Sequence, residues 1–210
     1  MKINHLVLAS TSSYRRALLN QVGLTHRARA PCVDEESIGA ETPEALAIAR
    51  SNAKGLSLAF EGETFIAIAA DQVLDFHGQA YGKADDRNEA RDRLRLFAGN
   101  CHVLRSAYSL VLYSASRIQI LKTRVESAKM SMRPLSEAEI EAYLDTGEWE
   151  GCAGCYQYEN RGMNLFGAIE GDISTIIGLP LPALLEDLRE FGIHVLVNPE
   201  GPWELEEGLS

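Results

Sequence analysis

The chain is 210 residues long and carries a formal net charge of −10, with 30 acidic against 20 basic residues. That length suffices for one substantial core, and two lobes around a cleft fit within it. The acidic balance excludes a protein whose main task is to grip a nucleic-acid backbone, and no apolar run approaches a membrane span, so neither nucleic acid nor membrane is an expected partner.

The first informative stretch is Leu6 to Leu19, LVLASTSSYRRALL, which reads as buried strand, hydroxyl-rich turn and helix. Such a turn leaves the unpaired N–H groups of the next helix converging on one spot, where the helix dipole also favours an anion. Ser10 and Ser12 sit in that turn, and Arg15 and Arg16 add charge-assisted donors for phosphate oxygens. The competing reading makes Ser10 or Ser12 a plain N-cap and the arginines solvated surface. The short lead MKINH runs straight into this strand, so it does not read as a signal peptide, and a cytoplasmic location is the default.

Arg27 to Ala30 predicts a second short strand, followed by Asp34-Glu35-Glu36, three acids that read as a solvated loop in preference to a metal-binding edge. Thr42-Pro43-Glu44 starts a helix that the pattern carries to Phe60, with Leu46, Ala49, Ala53, Leu56 and Leu58 as its apolar positions. Lys54 lies within it, by default a surface lysine with a buried stem. Thr64 to Ala70 is uninterrupted and apolar, the mark of a central strand, and ends at Asp71-Gln72. An acid at the carboxyl end of a buried strand is where α/β folds place chemistry.

Gly82-Lys83 combines a small residue that lets backbone approach a ligand with a point charge. A helix starts near Asp86, with Ala90, Leu94 and Phe97 on one face; His102–Tyr113 and Arg117–Met132 predict an antiparallel hairpin; Ser136 to Glu139 is a capping box. From Gly151 the chain is glycine-rich and loop-like around Tyr156 and Phe166, and Pro182 to Phe191 forms a last amphipathic helix. Residues 1–197 are expected to make a single domain and 198–210 a loosely held acidic tail. Cys152 and Cys155 form a lone C-x-x-C with no second ligand pair, which speaks against a zinc site; redox sensing by these two is a weaker reading.

Taken together, these points resemble the Maf proteins, nucleoside triphosphate pyrophosphatases once described as septum-formation inhibitors. The resemblance rests on Leu8-Ala9-Ser10-Thr11-Ser12-Ser13-Tyr14-Arg15-Arg16, Val33-Asp34-Glu35, Lys54, Ala70-Asp71-Gln72-Val73, Gly82-Lys83, Leu135 to Ile140, Ala153 to Tyr156, Ile169 to Asp172 and Gly178 to Leu181. It implies an α/β fold of the inosine-triphosphatase-like type, a mixed sheet flanked by helices with two lobes around a cleft, and often a homodimer. It also implies hydrolysis of a nucleoside triphosphate to the monophosphate and pyrophosphate, assisted by a divalent cation (Mg, Mn or Co). Asp71 matches the family's proton acceptor, and Glu35 with Asp71 are the candidate metal ligands or water-positioning groups. Lys54, Lys83, Arg15 and Arg16 are expected to neutralise the phosphates.

Base preference divides the family. Asp71-Gln72 is similar to the branch acting on 7-methyl-GTP, whereas pyrimidine-preferring members usually have Asp-Thr; Tyr14 and Glu159 fall at the other two specificity positions. An aromatic ring can stack on a cationic methylated purine, and a carboxylate can accept from guanine N–H groups. Ser13 and Ala84 stand where the family generally has proline, and Cys152 and Cys155 are not general family features. The alternatives are a dTTP/UTP pyrophosphatase of the same family, or a nucleotide-binding regulatory protein with little turnover.

Overall fold

The computed structural model describes residues 1–205. In chain order the elements are β1 (Lys2–Ile3), β2 (His5–Ala9), α1 (Ser13–Gln21), β3 (Arg27–Arg29), α2 (Pro43–Leu56), β4 (Phe65–Phe76), β5 (Gln79–Tyr81) and α3 (Arg87–Phe97). There follow β6 (Cys101–Ser114), β7 (Arg117–Met132), α4 (Glu137–Leu144), a 3-10 turn (Arg161–Leu165), β8 (Phe166–Glu170), α5 (Ile173–Ile177), α6 (Leu181–Glu190) and β9 (Trp203–Glu204). Seven strands build one mixed sheet in the order β3-β2-β4-β6-β7-β8, with β5 paired to β4. β3 and β4 run parallel to β2 and the other pairings in this sheet are antiparallel, which gives the expected mixed α/β class.

β4 is longer than its apolar run predicts, so Asp71 stands within the strand and not at its end. Polar residues at 71 and 72 do not stop it because β6 pairs with it from Phe65↔Tyr113 to Asp75↔Val103. On its other side β2 pairs only as far as Ala9↔Ala69. From there to Leu74, where β5 takes over, that edge of β4 is unpaired among the described residues, at the level where the Ser10–Ser13 turn departs. Asp71 therefore occupies the carboxyl end of the parallel part of the sheet, where loops diverge and a ligand can enter.

Strand alternation then assigns the two polar residues to opposite faces. Phe65, Ala67, Ala69 and Val73 face the α2 side, and Asp71 follows their parity. Ile66, Ile68 and Ala70 face the other side, in a core with Leu18 and Leu19 of α1 and Leu184 and Leu188 of α6, and Gln72 follows them. A second core gathers Leu74, Leu94, Phe97, Met130, Ile140 and Leu144 around the far end of β4 with α3 and α4. The cleft lies between these two lobes.

Two further expectations fail. α2 stops at Leu56, short of Phe60, and buries Pro43, Ala47, Ser51, Lys54 and Gly55, while Leu56 is exposed. The helix rests so close to the sheet that a Cβ on Gly55 would meet Val111 Cγ2 at 2.7 Å, so the closest point has no room even for a methyl group. The segment after Val197 is also not loose through Leu205: β9 pairs antiparallel with β1, Trp203 and Leu205 are buried, and Trp203 Nε1 donates to the Asn198 carbonyl at 2.9 Å. The rest of the expected acidic tail lies outside the described residues.

Candidate active site

A cleft of 990 Å³ opens between the lobes. One wall comprises Pro31, Val33 to Glu36, and Arg50 and Lys54 of α2; the other comprises Lys83 to Asp85 and the glycine-rich stretch from Gly151 to Glu159. The start of α1 and Asp71-Gln72 of β4 complete it.

At the floor, Lys54 Nζ bridges two carboxylates, 2.6 Å from Asp71 Oδ1 and 2.7 Å from Glu35 Oε2. Lys54 is thus a buried ion-pair partner and not the surface lysine that helix composition suggests. The acidic loop likewise contributes a wall residue in Glu35. Asp71 Oδ2 is buried with no hydrogen-bond partner among the described residues. An oxygen left so costs desolvation without return, and its natural complement is a water, a proton or a cation.

Ser12 caps α1: its Oγ accepts from Arg15 N–H at 3.4 Å, and Ser10 Oγ accepts from Ser12 N–H at 3.1 Å. The hydroxyls thereby fix the turn, and the first-turn N–H groups of Ser13 and Tyr14 have no helical partner, as at any helix start. Arg15 reaches from α1 to α5, donating from Nε to the Gly178 carbonyl at 2.9 Å. Gly178 ends α5 in the left-handed region at φ 112°, a conformation suited to glycine. Burial lowers Arg15 below the ordinary guanidinium range, opposed by the charges of Asp71 and Glu35, and Arg15 lines the same cleft as both. Arg16 points elsewhere: it is exposed and does not line the cleft.

Gln72 is held by its amide nitrogen, which faces Ser106 Oγ at 2.8 Å and the Thr175 and Ile176 carbonyls at 2.9 and 3.0 Å. It secures the C-terminal end of α5 and lines the cleft. Tyr14 and Glu159 line the same cleft. Burial raises the Tyr14 hydroxyl above its ordinary range, with Cys152, Glu159 and Glu148 adding to the rise. Burial, reinforced by Glu148, also raises the Glu159 carboxyl. Lys83 is exposed at the cleft mouth and makes no ion pair among the described residues.

Two residues went unread in the sequence. Gln157 hides in the glycine-rich loop, where no spacing marks it. Arg50 could have been found: it precedes Lys54 by one helical turn, so both side chains share a face. All four cysteines are free; burial, with Glu159 and Cys155 next, pushes the Cys152 thiol up to about 11, away from the thiolate that redox or metal chemistry uses.

Among the described residues no group of three His, Cys, Asp or Glu side chains is arranged to hold a metal. Glu35 and Asp71, with the orphaned Oδ2, nonetheless suit a hard cation of the magnesium type, which takes one or two carboxylates and completes its shell from substrate phosphates and water.

The fold and site define an α/β protein whose inter-lobe cleft surrounds a buried carboxylate with cations. The chain belongs to the family described as Maf-like protein, whose model matches residues 5–191. The 7-methyl-GTP pyrophosphatase of Rhizobium meliloti is 37% identical, covering 89% of this chain and 96% of its own. A nucleoside triphosphate pyrophosphatase of Gluconobacter oxydans is 38% identical over 90% of this chain and 95% of its own. A dTTP/UTP pyrophosphatase of Pelotomaculum thermopropionicum is 34% identical over 92% and 100%. Among the described residues no helix is long and apolar enough to cross a membrane.

Proposed function

We propose that this chain hydrolyses 7-methyl-GTP, or a closely related modified purine nucleotide, with Asp71 as proton acceptor. The protein is a nucleoside triphosphate pyrophosphatase, a hydrolase acting on acid anhydrides. The observation that carries the mechanism is the Asp71–Lys54–Glu35 bridge with Asp71 Oδ2 left unpartnered among the described residues. That free oxygen accepts the proton of the attacking water as the water oxygen bonds to the α-phosphorus and the α–β anhydride bond breaks, releasing monophosphate and pyrophosphate. Lys54, 2.6 Å from Asp71 Oδ1, holds the carboxylate oriented while it does so. Arg15, Lys83 and the first-turn N–H groups of α1 offset the charge that gathers on the phosphate oxygens. Glu35 and Asp71 would hold a Mg²⁺, Mn²⁺ or Co²⁺ ion together with the triphosphate, and such an ion supplies charge neutralisation and orientation.

Base choice rests on the opposite wall. The Tyr14 ring suits a cationic methylated purine by stacking, and Glu159 accepts from guanine N–H groups once ionised. The Glu159 carboxyl is raised by burial, so a cationic base beside it favours the ionised form.

The test is pyrophosphate release from 7-methyl-GTP, GTP, dTTP, UTP and CTP with Mg²⁺, Mn²⁺ or Co²⁺, run beside Asp71→Asn. Preference for 7-methyl-GTP that disappears in the variant is the expected result. Pyrimidine preference overturns the assignment of the base, and nucleotide binding without pyrophosphate release overturns the reaction.

A further inference from the structure

We infer that Arg50 is an additional phosphate ligand, gripping the pyrophosphate end of the nucleotide; the inference rests on the reading of the cleft as a triphosphate site. Arg50 Nε is buried with no hydrogen-bond partner among the described residues. No carboxylate lies within ion-pair distance of Arg50 among them, although Asp34, Glu35 and Glu36 line the same wall, and Glu35 is taken by Lys54. A buried guanidinium N–H without an acceptor costs free energy in the empty protein and is recovered when an anion arrives.

Position decides which part of the nucleotide it meets. α2 crosses the sheet face with Gly55 over Ala69 and Ala47 beside Val73 and Ala107, so Arg50 and Lys54 lie along β4 on either side of the level of Asp71. The groups that surround Tyr14, namely Cys152, Gln157, Glu159 and Glu148, all belong to the chain beyond residue 147, and its cleft-lining part forms the facing wall. With the base against that wall, the α2 wall is left for the phosphates. Arg50 and Lys54, one turn apart, then present two cations in line, and the Arg50 fork can take two phosphate oxygens at once.

The test compares inhibition by inorganic pyrophosphate and by the nucleoside monophosphate in wild type, Arg50→Ala and Arg50→Lys, with Mg²⁺ present and thermal melting recorded for each. Losing a charge-assisted hydrogen bond weakens binding about 10–100-fold. Arg50→Ala should therefore raise the pyrophosphate inhibition constant and the substrate KM by that factor, leave monophosphate inhibition within about twofold, and leave kcat much less affected. Arg50→Lys, which keeps the charge and loses the fork, should fall between. Unchanged pyrophosphate inhibition in a folded Arg50→Ala, or equal weakening for both products, overturns the inference. Calorimetric titration of pyrophosphate into wild type and Arg50→Ala separates the two readings. Wild-type binding that Arg50→Ala lacks, without turnover, leaves the ligand and removes the reaction; equal binding removes the ligand.

Discussion

Removing Asp71 and removing Lys54 should have opposite balances of effect on activity and stability. Asp71→Asn keeps the side-chain shape and an oxygen that can still accept from Lys54 Nζ, and Glu35 stays 2.7 Å from that ammonium. The buried cation remains compensated, so the stability cost is about 1 kcal/mol, near that of one ordinary hydrogen bond. Activity should nevertheless fall about 10²–10⁴-fold, the range for a lost general base. Lys54→Met is the converse. Among the described residues Lys54 is the sole hydrogen-bond partner of the Asp71 side chain and both side chains are 7% exposed, so the variant strands a charge in the core. Breaking such a pair from one side costs about 3–5 kcal/mol. In a chain of this size that is a drop in Tm of roughly 10 °C. Asp71→Asn with Lys54→Met together should recover most of that stability and none of the activity. The assays are pyrophosphate release and calorimetric melting on all four proteins. Asp71→Asn retaining more than about a tenth of wild-type turnover would refute the assignment of the base. A Lys54→Met protein melting with the wild type would refute the account of the buried bridge.

Three further outcomes follow from separate parts of the molecule. Burial lowers His102 from 6.5 to about 4, and its Nε2 lies 2.7 Å from the Tyr156 hydroxyl. Its contribution is complete above the unfolded value of 6.5 and is lost as pH falls towards 4, about 3 kcal/mol over that window; chemical denaturation of wild type and His102→Asn across these pH values should show the slope flattened in the variant. At Gly162 a Cβ would stand 2.3 Å from the Gln157 carbonyl oxygen, so Gly162→Ala must displace the loop that carries Glu159; discrimination between 7-methyl-GTP and GTP should shrink, alongside about 1–3 kcal/mol of overpacking read by melting. Trp203→Ala removes a buried ring that ties the C-terminal segment to β1 and should cost about 3–5 kcal/mol, with kcat unchanged at temperatures where the variant is folded.

Much of this fold is legible in the sequence because its signals are local. Asp86 and Ser136 cap their helices where the spacing puts them, and Ala90, Leu94 and Phe97 are all buried on one face of α3. The long hairpin from His102 to Met132 is equally plain in its residues and is observed as β6 and β7. α2 is misread because its inner face is decided by a distance that no local pattern encodes. Close approach to the sheet selects Ala47, Ser51 and Gly55 and leaves Leu56 in solvent. The tail is misread for a related reason, since Trp203 finds its strand partner at the opposite end of the chain.

The cleft divides in the same way. Asp71 is marked by its place after an apolar strand as well as by resemblance, Lys54 and Glu35 by resemblance, and geometry adds why they belong together. Lys54 is on the sheet-facing side of a helix held close by small residues, and Asp71 has the parity that points it at that helix just past the last residue of β4 paired to β2. A one-residue slip of β4 would exchange Asp71 with Gln72, sending the carboxylate towards α5 and the amide towards Lys54. The register with β6, continuous from Phe65↔Tyr113 to Asp75↔Val103, is what forbids it. Insertion of one residue between Ala70 and Asp71 should therefore abolish turnover by reversing the parity of the strand beyond it, even where the apolar half of β4 keeps its place.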